Sequence, residues 1–176
     1  MKTARLACTC GKVRLEVRGA PIITTECHCN SCRAAGDHFE ALGAPDFRSP
    51  NGGTPFVMMR KDRVDVVAGS EHLKAIRLGT GSTRRFITTC CNTPVFLEFK
   101  GGHWLSLYKS VWPVGTMPAV ELRTMTSDLP DPGVLDGTVQ IGKRQTWGFF
   151  AKLLGAWIAM GFRSPRVEVQ EEVILR

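Results

Sequence analysis

Long apolar runs are missing from this 176-residue chain. The longest, Trp147 to Phe162, is interrupted by Lys152 and falls short of the ~20 residues needed to cross a bilayer, so no membrane partner is expected. No apolar stretch of signal-peptide length precedes Cys8 in Met1-Lys2-Thr3-Ala4-Arg5-Leu6-Ala7-Cys8, and no Asn-x-Ser/Thr sequon with a permitted middle residue occurs, so secretion is not expected. A disulfide framework fits poorly as well, because the cysteines number seven and one would be left over. The expected setting is therefore cytoplasmic, with reduced thiols. Aromatic residues make up only 8%, with a single Tyr, and no stacking or recognition-helix motif is present. Nucleic acid is accordingly not an expected partner, although Lys and Arg outnumber Asp and Glu by 23 to 16 for a formal charge of +7. Metal-bound thiolates would reduce that excess.

What is present is an ordinary globular composition, 43% apolar and 22% charged, which excludes a disordered chain. Short strands are expected at Arg5–Cys8, Lys12–Val17 and Pro21–Glu26, the second alternating strictly between polar and apolar. Asn30 or Ser31 is placed to cap a short helix through Arg33-Ala34-Ala35. Gly43 to Pro55 is dense in Gly and Pro and reads as a loop, mobile or functional. Further strands are expected at Phe56–Arg60, Val64–Ala68, Leu73–Leu78, Arg84–Thr89, Val95–Phe99 and Trp104–Ser110. Gly79-Thr80-Gly81-Ser82 lacks the third glycine of a dinucleotide fingerprint and a following helix, and reads as a hairpin turn.

Residues 1–126 form the expected metal-bearing domain. Residues 127–176 read as an irregular connection followed by an amphipathic helix, with Phe150, Leu153, Leu154, Trp157 and Ile158 as its apolar stripe and Thr146 as its cap. The stripe is expected to pack on the domain or on a second subunit. Gly148, Lys152, Gly155 and Ala159 form a small-residue face that suits close approach, which favours a homodimer.

All seven cysteines fall in three clusters, none after Cys91. Cys8-x-Cys10-Gly11 is a knuckle in which a one-residue gap puts both thiols on one face of an extended end. Cys27-x-Cys29-x-x-Cys32 offers three sulfurs, the number found where zinc keeps its fourth position open. Cys90-Cys91 can complete the first knuckle to four, so Cys8, Cys10, Cys90 and Cys91 would hold one Zn²⁺ and Cys27, Cys29 and Cys32 a second. Neighbouring residues of a strand point to opposite faces, so Cys90 and Cys91 share one metal only if the chain turns sharply there; otherwise one of them is a spare thiol.

These motifs, with Cys32-Arg33, Thr83-Arg84-Arg85-Phe86 and Cys91-Asn92-Thr93-Pro94, resemble the glutathione-dependent formaldehyde-activating enzymes, a family that includes centromere protein V. The resemblance covers about residues 5–115. It implies a mainly β fold, a β-tent of antiparallel strands around a structural zinc held by four cysteines. It also implies a second zinc on Cys27, Cys29 and Cys32, where the thiol of glutathione is handled. Members commonly carry Cys-x-x-Cys-Gly-Thr-Pro at the third cluster; here Thr88 stands at the first cysteine and Asn92 at the glycine, so Cys90 must substitute. Gly36 also follows Arg33 one residue sooner than the pattern.

The implied activity is that of a carbon–sulfur lyase. A thiol, glutathione by resemblance, adds to formaldehyde or another small aldehyde, with Cys27, Cys29 and Cys32 as the catalytic set. The alternative is a non-catalytic zinc module for a protein or nucleic-acid partner. Among other candidates, alternation turns His28 away from the metal toward solvent or a supporting position. Asp37 and His38 are an acid/base pair or a solvated helix end. Arg84-Arg85 and Lys61-Asp62-Arg63 could contact a phosphate or peptide carboxylate but read as an outer strand face.

Overall fold

A computed structural model describes residues 2–169 and 171–175. Twelve strands and two α-helices follow one another among them: β1 Thr3–Ala7, β2 Arg14–Arg18, β3 Ile23–Cys27, α1 Asn30–Ala41, β4 Thr54–Arg60, β5 Val64–Ala68, β6 Leu73–Leu78, β7 Thr83–Thr88, β8 Pro94–Phe99, β9 Trp104–Tyr108, β10 Leu122–Thr124, β11 Gln140–Ile141, α2 Trp147–Ile158 and β12 Glu171–Leu175. The fold is mainly β, as expected, with cysteine clusters at its turns and a helix near its C-terminus.

Nine strands form one sheet in the order β11-β10-β3-β4-β9-β8-β7-β6-β12, and β1-β2-β5 form a second. The large sheet is buried on both faces, which is why its central strands read as unbroken apolar runs such as Phe56-Val57-Met58-Met59 rather than as alternation. Val57, Met59, Phe86, Phe96, Leu105 and Leu107 point toward the small sheet and meet Leu6, Val13, Leu15 and Val17 there. The opposite face is covered in two places. Over one, Cys32, Ala35 and Phe39 of α1 cover Phe56, Ile76, Ile87, Leu97 and Tyr108; over the other, Phe149 and Leu153 of α2 cover Ile23, Met58 and Leu122.

Several boundaries differ from the sequence reading, each for a physical reason. The helix after β3 spans 12 residues, and its cap is Cys29 rather than Asn30 or Ser31: the Cys29 sulfur accepts the Cys32 N–H at 3.3 Å. The ninth strand stops at Tyr108, where Lys109–Val111 tightens into a 3-10 turn. The Gly/Pro-rich loop is pinned rather than free, with Phe47 buried and Ser49 and Asn51 bonded to Glu26.

The segment after Thr126, expected to lie outside the sheet apart from its helix, supplies both of the sheet's edge strands. β11 pairs with β10, and β12 with β6. These two pairings and that of β10 with β3 are parallel, departing from the antiparallel expectation. β12 is anchored by Lys74–Glu171 at 3.1 Å and Arg77–Glu172 at 2.6 Å. Its charged start shields an otherwise open edge of β6.

Helix α2 packs on the sheet of its own chain, but through a face that shares only Leu153, and Trp157 at its edge, with the expected stripe. Phe149, Leu153 and Met160 are buried, whereas Phe150, Leu154 and Ile158 are 52%, 51% and 55% exposed. The segment is apolar almost all round, so periodicity alone cannot choose its inward face. His103 chooses it, bonding through Nε2 to the Leu153 carbonyl at 2.8 Å and stacking on Trp157 at 5.7 Å.

Candidate metal centres

The first cluster is assembled by two turns. Cys8 directly follows β1, and Cys10 lies in the turn to β2, closed by the Gly11 N–H donating to the Cys8 carbonyl at 2.9 Å. Gly11 has φ +77°, a conformation that a side chain disfavours. Cys90 and Cys91 lie in the turn between β7 and β8. That turn is as sharp as sharing one metal requires: Asn92 adopts φ +51° and its N–H returns to the Thr88 carbonyl at 3.0 Å. The sulfurs of Cys8 and Cys10 are 3.6 Å apart, those of Cys10 and Cys90 3.3 Å, and those of Cys90 and Cys91 3.8 Å. A tetrahedron of thiolates with metal–sulfur bonds of ~2.3 Å has edges of ~3.8 Å, so the four donors fit one ion.

Thr93 welds the two turns, accepting the Thr9 N–H at 3.2 Å and meeting the Thr9 hydroxyl at 2.9 Å. Thr88 contributes a hydroxyl. It lies 3.2 Å from the Cys91 sulfur, and the Thr93 hydroxyl lies 3.1 Å away on another side. Burial opposes ionisation of Cys91, yet these hydroxyls outweigh it and bring the thiol down to about 5. Burial raises Cys8 and pushes Cys90 up to about 12. One thiol thus ionises first, as four close sulfurs sharing few protons must.

The second cluster forms where β3 runs into α1. The sulfurs of Cys27, Cys29 and Cys32 all lie within 4.8 Å of one another, and among the described residues no fourth His, Cys, Asp or Glu joins them. Hydrogen bonds from Cys27 and Cys32 lower the Cys29 thiol, helped by the Cys32 N–H and the Arg85 charge, while bonds to Cys27 and Cys29 raise Cys32. A thiolate at a helix N-terminus beside an arginine is the setting of a reactive or metal-binding sulfur.

Arg85 is the residue that sequence reasoning missed. Expected on an outer strand face, it is buried beside this cluster, its guanidinium donating to the Ser31 hydroxyl at 2.8 Å and carbonyl at 3.3 Å. Arg84 and Lys61 are likewise buried, around Glu98 at 2.7 and 2.5 Å. Their signal was present but unread: in a sheet covered on both faces, adjacent arginines cannot share an outer side. Asp37 bonds Arg48 at 2.7 Å rather than His38, so the two do not form an acid/base pair.

His28 does turn away from the thiols, but it is buried, not solvent-facing. Its Nε2 lies 3.0 Å from Glu26 Oε1, and Arg123 Nε donates to the same oxygen at 3.0 Å. Burial alone would raise Glu26, but bonds from His28, Ser49 and Asn51 outweigh it and bring the carboxyl to about 2. This network backs the end of the strand that carries Cys27 and leads to Cys29. Gly53 makes room for it, since a Cβ there would stand 2.6 Å from both Glu26 and His28.

Cys27, Cys29, Cys32 and Arg85 open onto a cavity of about 980 Å³ between the large sheet and α2. Two cysteine clusters able to hold metal ions, one of four sulfurs and one of three lining a cavity, are thus the candidate functional centres. Among the described residues no helix is long and apolar enough to cross a membrane.

A family model described as a family of unknown function (DUF6151) matches residues 1–114, a stretch that contains all seven cysteines and stops before α2. No curated protein matches. Among solved structures, the crystal structure of a Rhodobacter sphaeroides protein, a structural-genomics target, is similar at 19% identity with a TM-score of 0.48, covering 65% of this chain and 92% of that one.

Proposed function

The chain belongs to this family of unknown function (DUF6151), and from that premise we propose a function read from its thiols. It binds two zinc ions, one structural on Cys8, Cys10, Cys90 and Cys91 and one on Cys27, Cys29 and Cys32. At the second it joins a thiol, glutathione by the resemblance of its motifs, to formaldehyde or another small aldehyde. The observation that carries the reading is the set of three sulfurs within 4.8 Å of one another, lining a cavity and without a fourth His, Cys, Asp or Glu among the described residues.

Zinc held by three thiolates supplies Lewis acidity, lowering the pKa of a thiol and polarising a carbonyl. The chain's own residues do the rest. Cys29 is fixed as ligand by its cap bond to α1, and Cys32 by burial against the sheet. Arg85, which lines the cavity and is held in place by Ser31, offers a fixed cation to an oxygen that gains negative charge there. The sheet and α2 limit access of water. The reaction forms one S–C bond while the carbonyl π bond opens, and the thiol proton ends on the oxygen to give a hemithioacetal; nothing is oxidised or reduced. The addition is facile without a catalyst, so no nucleophile–base triad is required.

The test is two measurements on purified protein. Metal analysis is expected to find close to two zinc ions per chain. Exchange spectroscopy on labelled formaldehyde and glutathione is expected to show hemithioacetal exchange accelerated by the wild type and not by Cys29→Ser. A second site closed by an additional protein ligand, with no acceleration, would favour a non-catalytic zinc module instead.

A further inference from the structure

The cavity beside the three thiols is far more apolar than a tripeptide thiol or formaldehyde requires. At about 980 Å³ it sits at the top of the range of small-molecule sites. Beyond the thiols and Leu97 beside them, it is walled by Met58 and Trp104 of the sheet and by Phe150, Leu154 and Trp157 of α2. Phe150 and Leu154 stay half exposed, so the helix spends two large apolar side chains on lining the cavity instead of filling the core. A hydrocarbon lying there would remove them from water. Arg85 lines the cavity beside the thiols, and the other cationic or imidazole side chains of its lining, Lys100 and His103, lie at the turn between β8 and β9. Glutathione lying along the apolar walls would bring two carboxylates, an ammonium and two amides against surfaces that cannot pair them.

We infer that the cavity takes an amphiphilic aldehyde, its carbonyl at the thiols beside Arg85 and its hydrocarbon chain between the sheet and α2. This rests on the proposed thiol addition and replaces a small aldehyde with a long-chain one as its substrate. The balance is unchanged: the S–C bond forms at the carbonyl carbon, the π bond opens, and the proton of the thiol co-substrate passes to the oxygen.

Unreactive carboxylates serve as probes. Tryptophan fluorescence of the metal-loaded protein, titrated with the series from butanoate to decanoate, is expected to show affinity rising up to about fourfold per added methylene. Leu154→Asp is expected to weaken decanoate at least about tenfold, the loss of two or so methylene contacts. Ile158→Asp, on the same helix but outside the cavity, is expected to leave it unchanged. Absence of chain-length dependence overturns the inference. So does a Leu154→Asp variant that alters the oligomeric state but not decanoate binding, which would make this face an interface between copies. The two readings also fail separately. Tight decanoate binding with no acceleration of either decanal or formaldehyde addition sinks the thiol-addition reading and leaves the amphiphile site standing. Acceleration with formaldehyde alone, without chain-length dependence, sinks only the amphiphile.

Discussion

Glu98 is a carboxylate buried between two cations, and it ties distant parts of the chain together. Its Oε1 accepts from Lys61 at 2.5 Å and from the Val167 N–H at 3.2 Å, while Oε2 accepts from Arg84 at 2.7 Å. Lys61 and Arg84 in turn donate to the carbonyls of Pro165 and Val167. Removing the carboxylate leaves two like charges desolvated, so Glu98→Ala is expected to lose ~3–5 kcal/mol in urea unfolding; a loss below ~1 kcal/mol would show the cluster to be hydrated. The cysteines divide by role. Structural zinc contributes ~10 kcal/mol or more to small domains whose whole stability is ~5–15 kcal/mol. Cys10→Ser is therefore expected to unfold or aggregate the protein, and Cys29→Ser to keep its circular dichroism with one metal fewer. Cys90→Ala and Cys91→Ala are both expected to lose the structural metal, because both sulfurs stand at the cluster. Retention of two metals by either variant would mark that residue as a spare thiol.

At the scale of elements, α2 and the β5–β6 turn each hang on one local device. Burial pulls His103 below the ordinary histidine pKa of ~6.5, against the bond to the Leu153 carbonyl, and Lys61 adds repulsion. A depressed histidine pKa contributes stability that is complete above ~6.5 and is lost as pH falls from there through the folded value, because only the unfolded chain gains the proton in that window. Acidification is thus expected to loosen α2 first, read as rising accessibility of Trp157 to a fluorescence quencher, and His103→Gln is expected to flatten that profile. A wild-type profile already flat between pH 7 and 5 would rule the device out. In the turn, Gly69 has φ +74° and a Cβ there would lie 2.4 Å from the Lys12 carbonyl oxygen. Gly69→Ala is expected to cost at least the ~1–2 kcal/mol of a left-handed residue, seen as a lower Tm.

Across the whole molecule, the chain beyond residue 142 is part of the sheet as well as its cover. It brings α2 onto Met58 and Ile23, β12 onto the edge of β6, and Val167 onto Glu98. Deleting residues 143–176 is expected to give an aggregating protein with an open β6 edge, and a truncated chain that stays soluble and equally stable would show the tail to be detachable. The amino-acid sequence by itself determined the cysteine clusters, their division into four and three, and most of the strands between Val64 and Phe99, because ligand spacing and short-range alternation are local properties. It also determined that residues 147–158 form a helix capped by Thr146. Tertiary structure alone decided the rest. Which face of α2 turns inward depends on His103 and Met58 far away in the chain, since Phe149 and Phe150, and Leu153 and Leu154, are equally apolar neighbours. The two-residue β11 and the acidic start of β12 carry no periodic signal, and edge strands with little buried surface need none. Arg84 and Arg85 look alike in sequence. Only a sheet covered on both faces sends one to Glu98 and the other to the thiols, because adjacent residues of a strand must point opposite ways.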